Sequence, residues 1–331
     1  MVPTAVFDTY WHFAAERQAI FYRRLHDCPG PLTTDPVLRA YRFTNAYRVL
    51  DRVSQYLIRE VQYRPDRVQQ PQEIFFRTVL FKVFNRIDTW EAIEARVGPI
   101  TWRTTSLDKI KAILDDRHAH GLRNYSPAYI MPSPPFNHAR KHANHLALIA
   151  RMMDDRLPDR LRQSPSLRSV YERLLTYPGF GPFLAFQAAI DLNYSDLLDF
   201  DENEFVVAGP GALDGIAKCF TEIDGRPVEQ IIEWMVEHQD REFDRLGLTF
   251  QALPGRKLHP IDCQNLFCEI SKYARVAHPE VAGTSGRLRI KQLYRPSTEP
   301  IPSLAFPPKW AITAPTSLQP RRTERQASLT M

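Results

Sequence analysis

Helical periodicity runs through nearly the whole chain and limits its fold more than any other feature. Residues 38–62 repeat apolar side chains at spacings of three and four, as at Val53 and Leu57. Residues 73–96 are apolar on most faces, which predicts a central helix. Few segments alternate strictly between apolar and polar residues, so the sequence predicts an all-α fold with a minor sheet or none.

Two proline-rich segments divide the chain. Residues 121–137 predict an ordered connection between an N-terminal helical lobe, residues 1–120, and a second lobe, residues 138–295. Residues 296–331 hold seven of the 27 prolines and end in a basic stretch. We expect them to form a wrapping arm followed by a disordered tail.

Composition excludes several classes of protein. The 43 Lys and Arg exceed the 38 Asp and Glu by five, which permits a nucleic-acid partner without requiring one. Since no apolar run approaches roughly 18 residues and no secretory leader is seen, we expect a cytoplasmic or nuclear protein, neither secreted nor membrane-spanning. The four cysteines include no CxxC pair, which excludes a zinc ribbon. His138, His142 and His145 share a helix face, but neighbouring cations disfavour a metal, so we predict no metal and no evident cofactor.

A Pro-Gly-x-Gly turn at residues 177–181 separates two apolar helical segments, residues 166–176 and 182–192. Gly179 and Gly181 permit positive φ and leave no Cβ in the way of a ligand. The N–H groups of the turn and of the next helix would cradle a nucleic-acid phosphate. An ordinary corner between two helices is the alternative.

Four carboxylates follow this turn within six residues, and we predict them as catalytic: Asp199, Asp201, Glu202 and Glu204. Crowding and burial raise carboxyl pKa values, so such a group can act as a base, an acid or a cation stabiliser. An acidic loop that caps a helix is the alternative.

A glycine-rich stretch precedes the helix predicted at residues 211–220. Gly209 and Gly211 open this helix and Lys218 follows, which suits a phosphate or pyrophosphate. The spacing fits neither GxGxxG nor a P-loop, because no Gly-Lys-Ser/Thr is present. A simple turn and helix start is the alternative.

Basic side chains and aromatic rings are interleaved in the N-terminal helices. Arginine side chains form bidentate hydrogen bonds with phosphates, and aromatic rings stack on displaced bases. This pattern therefore suits recognition of a single strand or a flipped base. The residues predicted to contact phosphate here are Arg42, Asn45, Arg48, Arg52, Arg77, Lys82 and Arg86. Trp90, Asp262 and Asn265 are predicted to line a pocket. Solvated faces with local ion pairs, and Asp262 as a helix cap, are the alternatives.

Five longer strings resemble one protein family. They are YRFTNAYRVLDRVSQYLI (41–58), FFRTVLFKVFNRIDTWE (75–91), AYIMPSP (128–134), YPGFGPFLAFQAAIDLNYSDLLDFDENEFVVAGPGA (177–212) and IDCQNLFCEISKYAR (261–275). Over residues 15–295 the chain is similar to the helical domain of 5-hydroxymethyl-deoxyuridine DNA kinases, also called the alpha-glutamyl/putrescinyl thymine pyrophosphorylase family. Because that family is regarded as a distant branch of the helix-hairpin-helix DNA glycosylases, the resemblance implies a two-lobed helical fold of that kind.

The resemblance also implies thymine hypermodification in DNA. A (pyro)phosphorylated 5-hydroxymethyluracil would lose its (pyro)phosphate and gain an amine or amino acid. Carboxylates would deprotonate the incoming amine, and cations would stabilise the charge on the leaving phosphate. Asp201 matches the catalytic Asp of the glycosylases, whereas Phe183 replaces the lysine of the lyase type, so no Schiff base is expected. The chain has no Walker A lysine, so a separate kinase and a thymine hydroxylase would supply the activated base.

Two other functions use the same features. A monofunctional DNA glycosylase would use Asp201 to stabilise an oxocarbenium-like sugar. A non-catalytic nucleic-acid-binding module would need only the basic face and the turn, and its binding would weaken steeply with salt.

Overall fold

The computed structural model describes residues 1–128, 130–297 and 300–313. Over these residues the chain forms thirteen α-helices, which confirms the all-α prediction. They are α1 (Ala5–Leu25), α2 (Pro36–Ala40), α3 (Arg52–Tyr56), α4 (Pro71–Phe84), α5 (Ile87–Val97), α6 (Leu107–Ala119), α7 (Lys141–Asp154), α8 (Leu157–Arg162), α9 (Leu167–Leu175), α10 (Pro182–Asn193), α11 (Pro210–Cys219), α12 (Val228–Arg245) and α13 (Pro260–Ala277). None of these helices combines the length and apolar character needed to cross a lipid bilayer.

The one sheet within the described residues has two short strands. Strand β1 (Val2–Pro3) pairs antiparallel with β2 (Phe220–Glu222), with Val2 opposite Glu222. Thr4 follows β1 directly, and its hydroxyl accepts a hydrogen bond from an N–H in the first turn of α1. The strand therefore fixes where the first helix begins, and the predicted minor sheet is confirmed.

Two segments predicted as continuous helices are broken. Residues 38–62 contain α2, an extended stretch from Tyr41, a 3₁₀ turn, α3 and a π-helical turn at Leu57–Gln62. Residues 73–96 are divided between α4 and α5 at Asn85, whose φ of 47° lies in the left-handed region. Asparagine adopts this conformation more readily than most residues, so it ends α4 where apolar periodicity predicted continuation.

Helices α4 and α10 form the centre of the core. Each is buried on nearly all faces, and α4 contacts α7, α8 and α10. A helix that is apolar all round is expected in such a position. The two helices carry Arg77, Lys82 and Asp191 into the interior, where their polar groups need partners.

Helices α11 and α13 approach each other closely at Gly215. A Cβ at this glycine would lie 2.0 Å from the carbonyl oxygen of Phe267, so any other residue would push the helices apart. Helix α1 packs against both helices, and the first and last helices share one core. The division into lobes of residues 1–120 and 138–295 stays a prediction.

The C-terminal arm, residues 300–313, lies against the helical body. Its Ala305 donates an N–H to the Gln55 side chain at 2.9 Å and accepts from the same amide at 3.0 Å. Further along, the Lys309 ammonium donates to the carbonyl oxygens of Ser195, at 3.1 Å, and Leu198. The arm and tail were predicted together for residues 296–331, and the part beyond residue 313 lies outside the described residues.

Candidate functional site

The Pro-Gly-x-Gly turn lies at the surface between α9 and α10. Gly179 has a φ of 88°, so the positive φ predicted for the turn is present. A Cβ on Gly179 would lie 3.6 Å from Pro132 O and Pro134 Cβ, which shows that the turn rests on the proline-rich connection. Gly181 caps the start of α10, and no described atom lies within 4 Å of a Cβ built on it. The start of α10 is therefore open to a ligand, and its contact with DNA stays a prediction.

The four carboxylates predicted as catalytic are not brought together. Asp199, Asp201 and Glu204 are exposed, and only Glu202 turns inward, with 3% exposure. The Asp201 carboxylate accepts from the backbone N–H and the side chain of Asn203, both at 2.9 Å, and so closes a local turn. The four acids therefore do not line one common pocket.

Glu202 belongs instead to a site centred on Arg256. Its Oε2 lies 2.5 Å from the Arg256 guanidinium. The Trp310 ring covers the same guanidinium, with Cζ 3.7 Å from the ring centroid, and packs edge-on against Tyr194. The Arg256 side chain is 10% exposed, and its Nε has no acceptor among the described residues. Since an unsatisfied buried guanidinium N–H is costly, this position favours an anionic ligand.

His259 and Asp262 border the Arg256 site. Burial and the Arg256 charge lower the pKa of His259 to about 4, against the opposite effect of Asp201. Burial raises the pKa of Asp262 to about 6, although its carboxylate accepts the N–H of Arg48 at 2.8 Å and of His259 at 3.1 Å. Asp262 thus caps α13 with a carboxyl whose pKa is raised, as is common for groups in functional sites.

A buried ion-pair cluster of Arg48, Lys82 and Asp191 lies next to them. One Asp191 oxygen is 2.5 Å from the Arg48 guanidinium, and the other is 2.8 Å from the Lys82 ammonium. Burial alone would raise the pKa of Asp191, but the two cations outweigh it and lower that pKa. Burial lowers the pKa of Lys82 to about 8. With 5% and 3% exposure, Arg48 and Lys82 do not face solvent, which corrects the expectation that they contact DNA phosphates.

Arg77 is also buried, and this corrects its expected phosphate contact. Its guanidinium donates to the carbonyl oxygens of Val61 and Val68, both at 2.9 Å. Burial lowers the pKa of Arg77 to about 10. The two bonds fix the π-helical turn and the loop after it, so Arg77 positions backbone and does not reach the surface.

Three of the residues predicted to contact phosphate reach the surface. Arg42 lies before the 3₁₀ turn, Arg52 begins α3 and Arg86 precedes α5. Arg42 and Arg52 are exposed, and Arg86 is half-buried and pairs with Asp88 at 2.5 Å. Burial lowers the pKa of Arg52, and the charges of Arg42 and Arg86 lower it further, against the opposite effect of Asp88 and Glu91. We call these three residues the arginine cluster.

Asn45 and Asn265 also come together. The Asn265 amide donates to the Thr44 hydroxyl at 3.0 Å and to the Asn45 carbonyl oxygen at 3.3 Å. The Asn45 side chain accepts from Arg17 at 2.9 Å and donates to the Leu50 carbonyl oxygen at 2.7 Å. Both amides therefore fix the loop between α2 and the 3₁₀ turn.

The glycine-rich start of α11 packs against other helices. A Cβ on Gly209 would lie 2.4 Å from the Phe183 ring, and one on Gly211 would lie 3.0 Å from Cys268 Sγ of α13. Lys218 is buried, and its ammonium donates to the carbonyl oxygen of Ser271 at 2.8 Å. Lys218 does not reach the start of its helix, which corrects the expectation that these residues form a phosphate cradle.

Trp90 lies in the core and not in a pocket wall. It is 2% exposed, its Nε1 donates to Glu94 at 3.2 Å, and its ring packs against Phe81. This corrects the pocket role expected of Trp90, because α5 turns this side chain towards α4.

The histidines of α7 have protein partners. His142 lies 2.8 Å from Asp115, and the His145 ring lies between the Tyr125 hydroxyl at 2.7 Å and the Pro132 carbonyl oxygen at 2.9 Å. Within residues 1–128, 130–297 and 300–313, no three His, Cys, Asp or Glu residues are grouped as metal ligands.

An open cleft of about 540 Å³ lies between the π-helical turn and α5. Its walls include Tyr56, Arg59, Glu60 and Glu91. Burial and the carboxylates led by Glu91 raise the pKa of Tyr56.

Comparison with known proteins identifies the family. The family model described as "5-hmdU DNA kinase, helical domain" matches residues 4–283. The chain belongs to this family. It is 28% identical over 286 residues to a 5-hmdU DNA kinase of Bacillus phage SP10, a match that covers 81% of this chain and 45% of the phage protein. The chain thus spans less than half the length of this relative. No solved structure matches the chain.

Sequence reasoning missed three residues that shape the candidate site. Asp191 carried a readable signal, because a lone acid in the apolar helix α10 must have a buried partner. No sequence pattern indicated Arg256 or Trp310, since each lies in a stretch without periodicity and they meet only in the folded chain.

Proposed function

We propose that this helical domain binds DNA and takes part in modifying 5-hydroxymethyluracil within it. The arginine cluster carries the proposal, because Arg42 and Arg52 are exposed and the like charges of Arg42 and Arg86 act on Arg52, where an anionic ligand would add to the partial neutralisation by Asp88. The family and the name of the phage relative support DNA as that anion. Gly179 and Gly181, at the open start of α10, are proposed to contact a second phosphate.

The proposed chemistry is a substitution at the exocyclic methylene of an activated 5-hydroxymethyluracil. The nitrogen of an amine or amino acid bonds to the methylene carbon. The carbon–oxygen bond breaks, and its electron pair leaves with the phosphate or pyrophosphate. The new ammonium group then loses a proton to a carboxylate.

Two groups of the Arg256 site are proposed to serve this step. Arg256 contacts the leaving phosphate, since its Nε lacks an acceptor among the described residues. Asp201 is the proposed base, because it is exposed and its charge acts on His259 at the border of that site. Glu202 holds the guanidinium, while Asp199 and Glu204 add negative charge on the same loop.

Other proteins are proposed to complete the reaction sequence. A separate kinase and a thymine hydroxylase would supply the activated base, and the amine donor enters as a substrate. No resident cofactor is proposed.

The test is nucleoside mass spectrometry of a duplex that carries one phosphorylated or pyrophosphorylated 5-hydroxymethyluracil, after incubation with the protein and an amine. We expect a mass gain with the wild-type protein. Asp201→Asn should bind DNA without product, and the combined variant Arg42→Gln, Arg52→Gln and Arg86→Gln should bind weakly. Arg226→Gln, exposed in the β2–α12 loop, is the control.

Absence of product with every amine and both phosphorylation states would contradict the proposed chemistry. Release of free base with alkali-labile strand breaks would indicate a monofunctional glycosylase instead.

A further inference from the structure

A basic segment follows the part of the chain that matches the family. Residues 284–297, which we call the basic strap, begin just after the match ends at residue 283. The strap contains four cations and no acidic residue: Arg287, Arg289, Lys291 and Arg295. All four are exposed, and none forms an ion pair with a carboxylate of the described residues. The strap therefore presents a strong positive charge to solvent.

Backbone contacts and one apolar side chain hold the strap in place. Residues 292–294 pair antiparallel with residues 40–42, through N–H···O bonds of 3.0 Å in each direction. Arg275 donates to the carbonyl oxygen of Arg289 at 3.2 Å, and Ile290 is 9% exposed. The four charged groups are not used in this attachment and remain accessible to a ligand.

The pairing joins the strap to the arginine cluster. Arg42 donates its N–H to the carbonyl oxygen of Gln292, the residue after Lys291. The strap therefore lies beside Arg42, whose charge also acts on Arg52. At the other end, the charge of Arg287 helps to lower the pKa of Arg275, after burial and against the opposite effect of Asp214. Like charges on neighbouring segments repel one another, and a polyanion would match them.

We propose that the basic strap is a second DNA-backbone contact, which lengthens the footprint that begins at the arginine cluster. The inference rests on the proposed function, because DNA is the polyanion named there. From Arg287 to Arg295 the chain reaches at most about 26 Å when extended. This equals about eight base pairs at roughly 3.4 Å each. Contacts of this kind bind phosphates without reading sequence.

A lipid surface is the other polyanion to consider. Leu288 and Leu293 are 80% and 63% exposed and would suit a membrane interface. DNA is favoured because residues 292–294 are hydrogen-bonded to the segment that carries Arg42. The strap and the arginine cluster would then bind the same DNA molecule.

The test compares two full-length variants by DNA binding at several salt concentrations. The neutral variant combines Arg287→Gln, Arg289→Gln, Lys291→Gln and Arg295→Gln, and the matched control replaces the three arginines by lysine. On a 30-base-pair duplex each phosphate contact contributes about 0.9 to the slope of log K against log salt. We expect the neutral variant to lose up to about 3.6 of this slope and the lysine variant to keep it. Equal melting temperatures show that both variants are folded.

The outcomes separate the two proposals. A slope loss below about 0.9, on a protein that binds and modifies DNA, would overturn the strap contact alone. Strap-dependent binding without any nucleoside product would support the strap and contradict the proposed chemistry. No DNA binding at low salt would overturn both. Strap-dependent binding to phosphatidylglycerol vesicles, with an unchanged DNA slope, would replace DNA by a membrane as the strap's partner.

Discussion

Neutralising Asp191 should be the most damaging single change in the core. Asp191→Asn keeps the shape of the side chain but removes the charge that lies 2.5 Å from Arg48 and 2.8 Å from Lys82. Loss of one partner from a buried ion pair costs about 3–5 kcal/mol, because the remaining charge stays in a low-dielectric interior. We therefore expect the free energy of unfolding to fall by about this amount at pH 7.

Lys82 determines how this loss depends on pH. Burial lowers its pKa from 10.5 to about 8, so the folded state binds fewer protons than the unfolded state between these values, and this group's contribution to stability rises with pH there. Asp191 is the main group that opposes the lowering. In the Asp191→Asn variant the pKa of Lys82 falls further, so the lysine loses its proton at a lower pH. The difference in free energy of unfolding between wild type and variant should therefore become smaller between pH 7 and pH 9.

Urea unfolding followed by circular dichroism at the two pH values measures both effects. Asp154→Asn, at the exposed end of α7, is the matched control and should change the free energy of unfolding by less than about 0.5 kcal/mol. A change below about 1 kcal/mol for Asp191→Asn at pH 7 would refute the reasoning. A deficit that grows with pH would refute the role given to Lys82.

Three further predictions concern stability. Burial lowers the pKa of His145 to about 4, so the free energy of unfolding of the wild-type protein should fall by about 3 kcal/mol as pH falls from 6.5 to 4. The urea midpoint of His145→Gln should depend less on pH than that of the wild type. Gly215→Ala places a Cβ 2.0 Å from a carbonyl oxygen of α13 and should cost about 2–3 kcal/mol in thermal melts, whereas Gly181→Ala, with no described atom within 4 Å, should cost about 1 kcal/mol or less. Trp310→Ala removes the ring over Arg256 and should lower the free energy of unfolding by about 1 kcal/mol, measured by urea midpoint, with Trp310→Phe retaining part of it.

Much of the fold could be predicted from local sequence patterns. Helical periodicity predicted the all-α class. Local signals also mark helix ends, since the Ser106 hydroxyl accepts the first-turn N–H of Lys109 at the start of α6. The break at Asn85 was missed because apolar periodicity continues across it. A left-handed residue changes the direction of the chain without changing its hydrophobicity.

The site was harder to predict, because a cation in the sequence does not reveal which way it faces. Arg48 and Arg52 lie four residues apart, yet one is buried against Asp191 and the other is exposed in the arginine cluster. The difference arises from a 3₁₀ turn and a partner more than a hundred residues away. The four carboxylates are separated for a related reason, since only Glu202 faces Arg256 while Asp199, Asp201 and Glu204 are exposed.

The attachment of the C-terminal arm at Gln55 has a consequence for the evolution of that segment. The Gln55 amide exchanges two bonds with the main chain of Ala305 and gives its second proton to the Val49 carbonyl oxygen, so it acts as a surrogate peptide group. Such recognition does not depend on the side chain, so the two bonds themselves exclude only proline at position 305, which has no N–H to offer. A glutamate at position 55 would break the attachment although it nearly preserves the shape, because a carboxylate has no proton to give to either carbonyl.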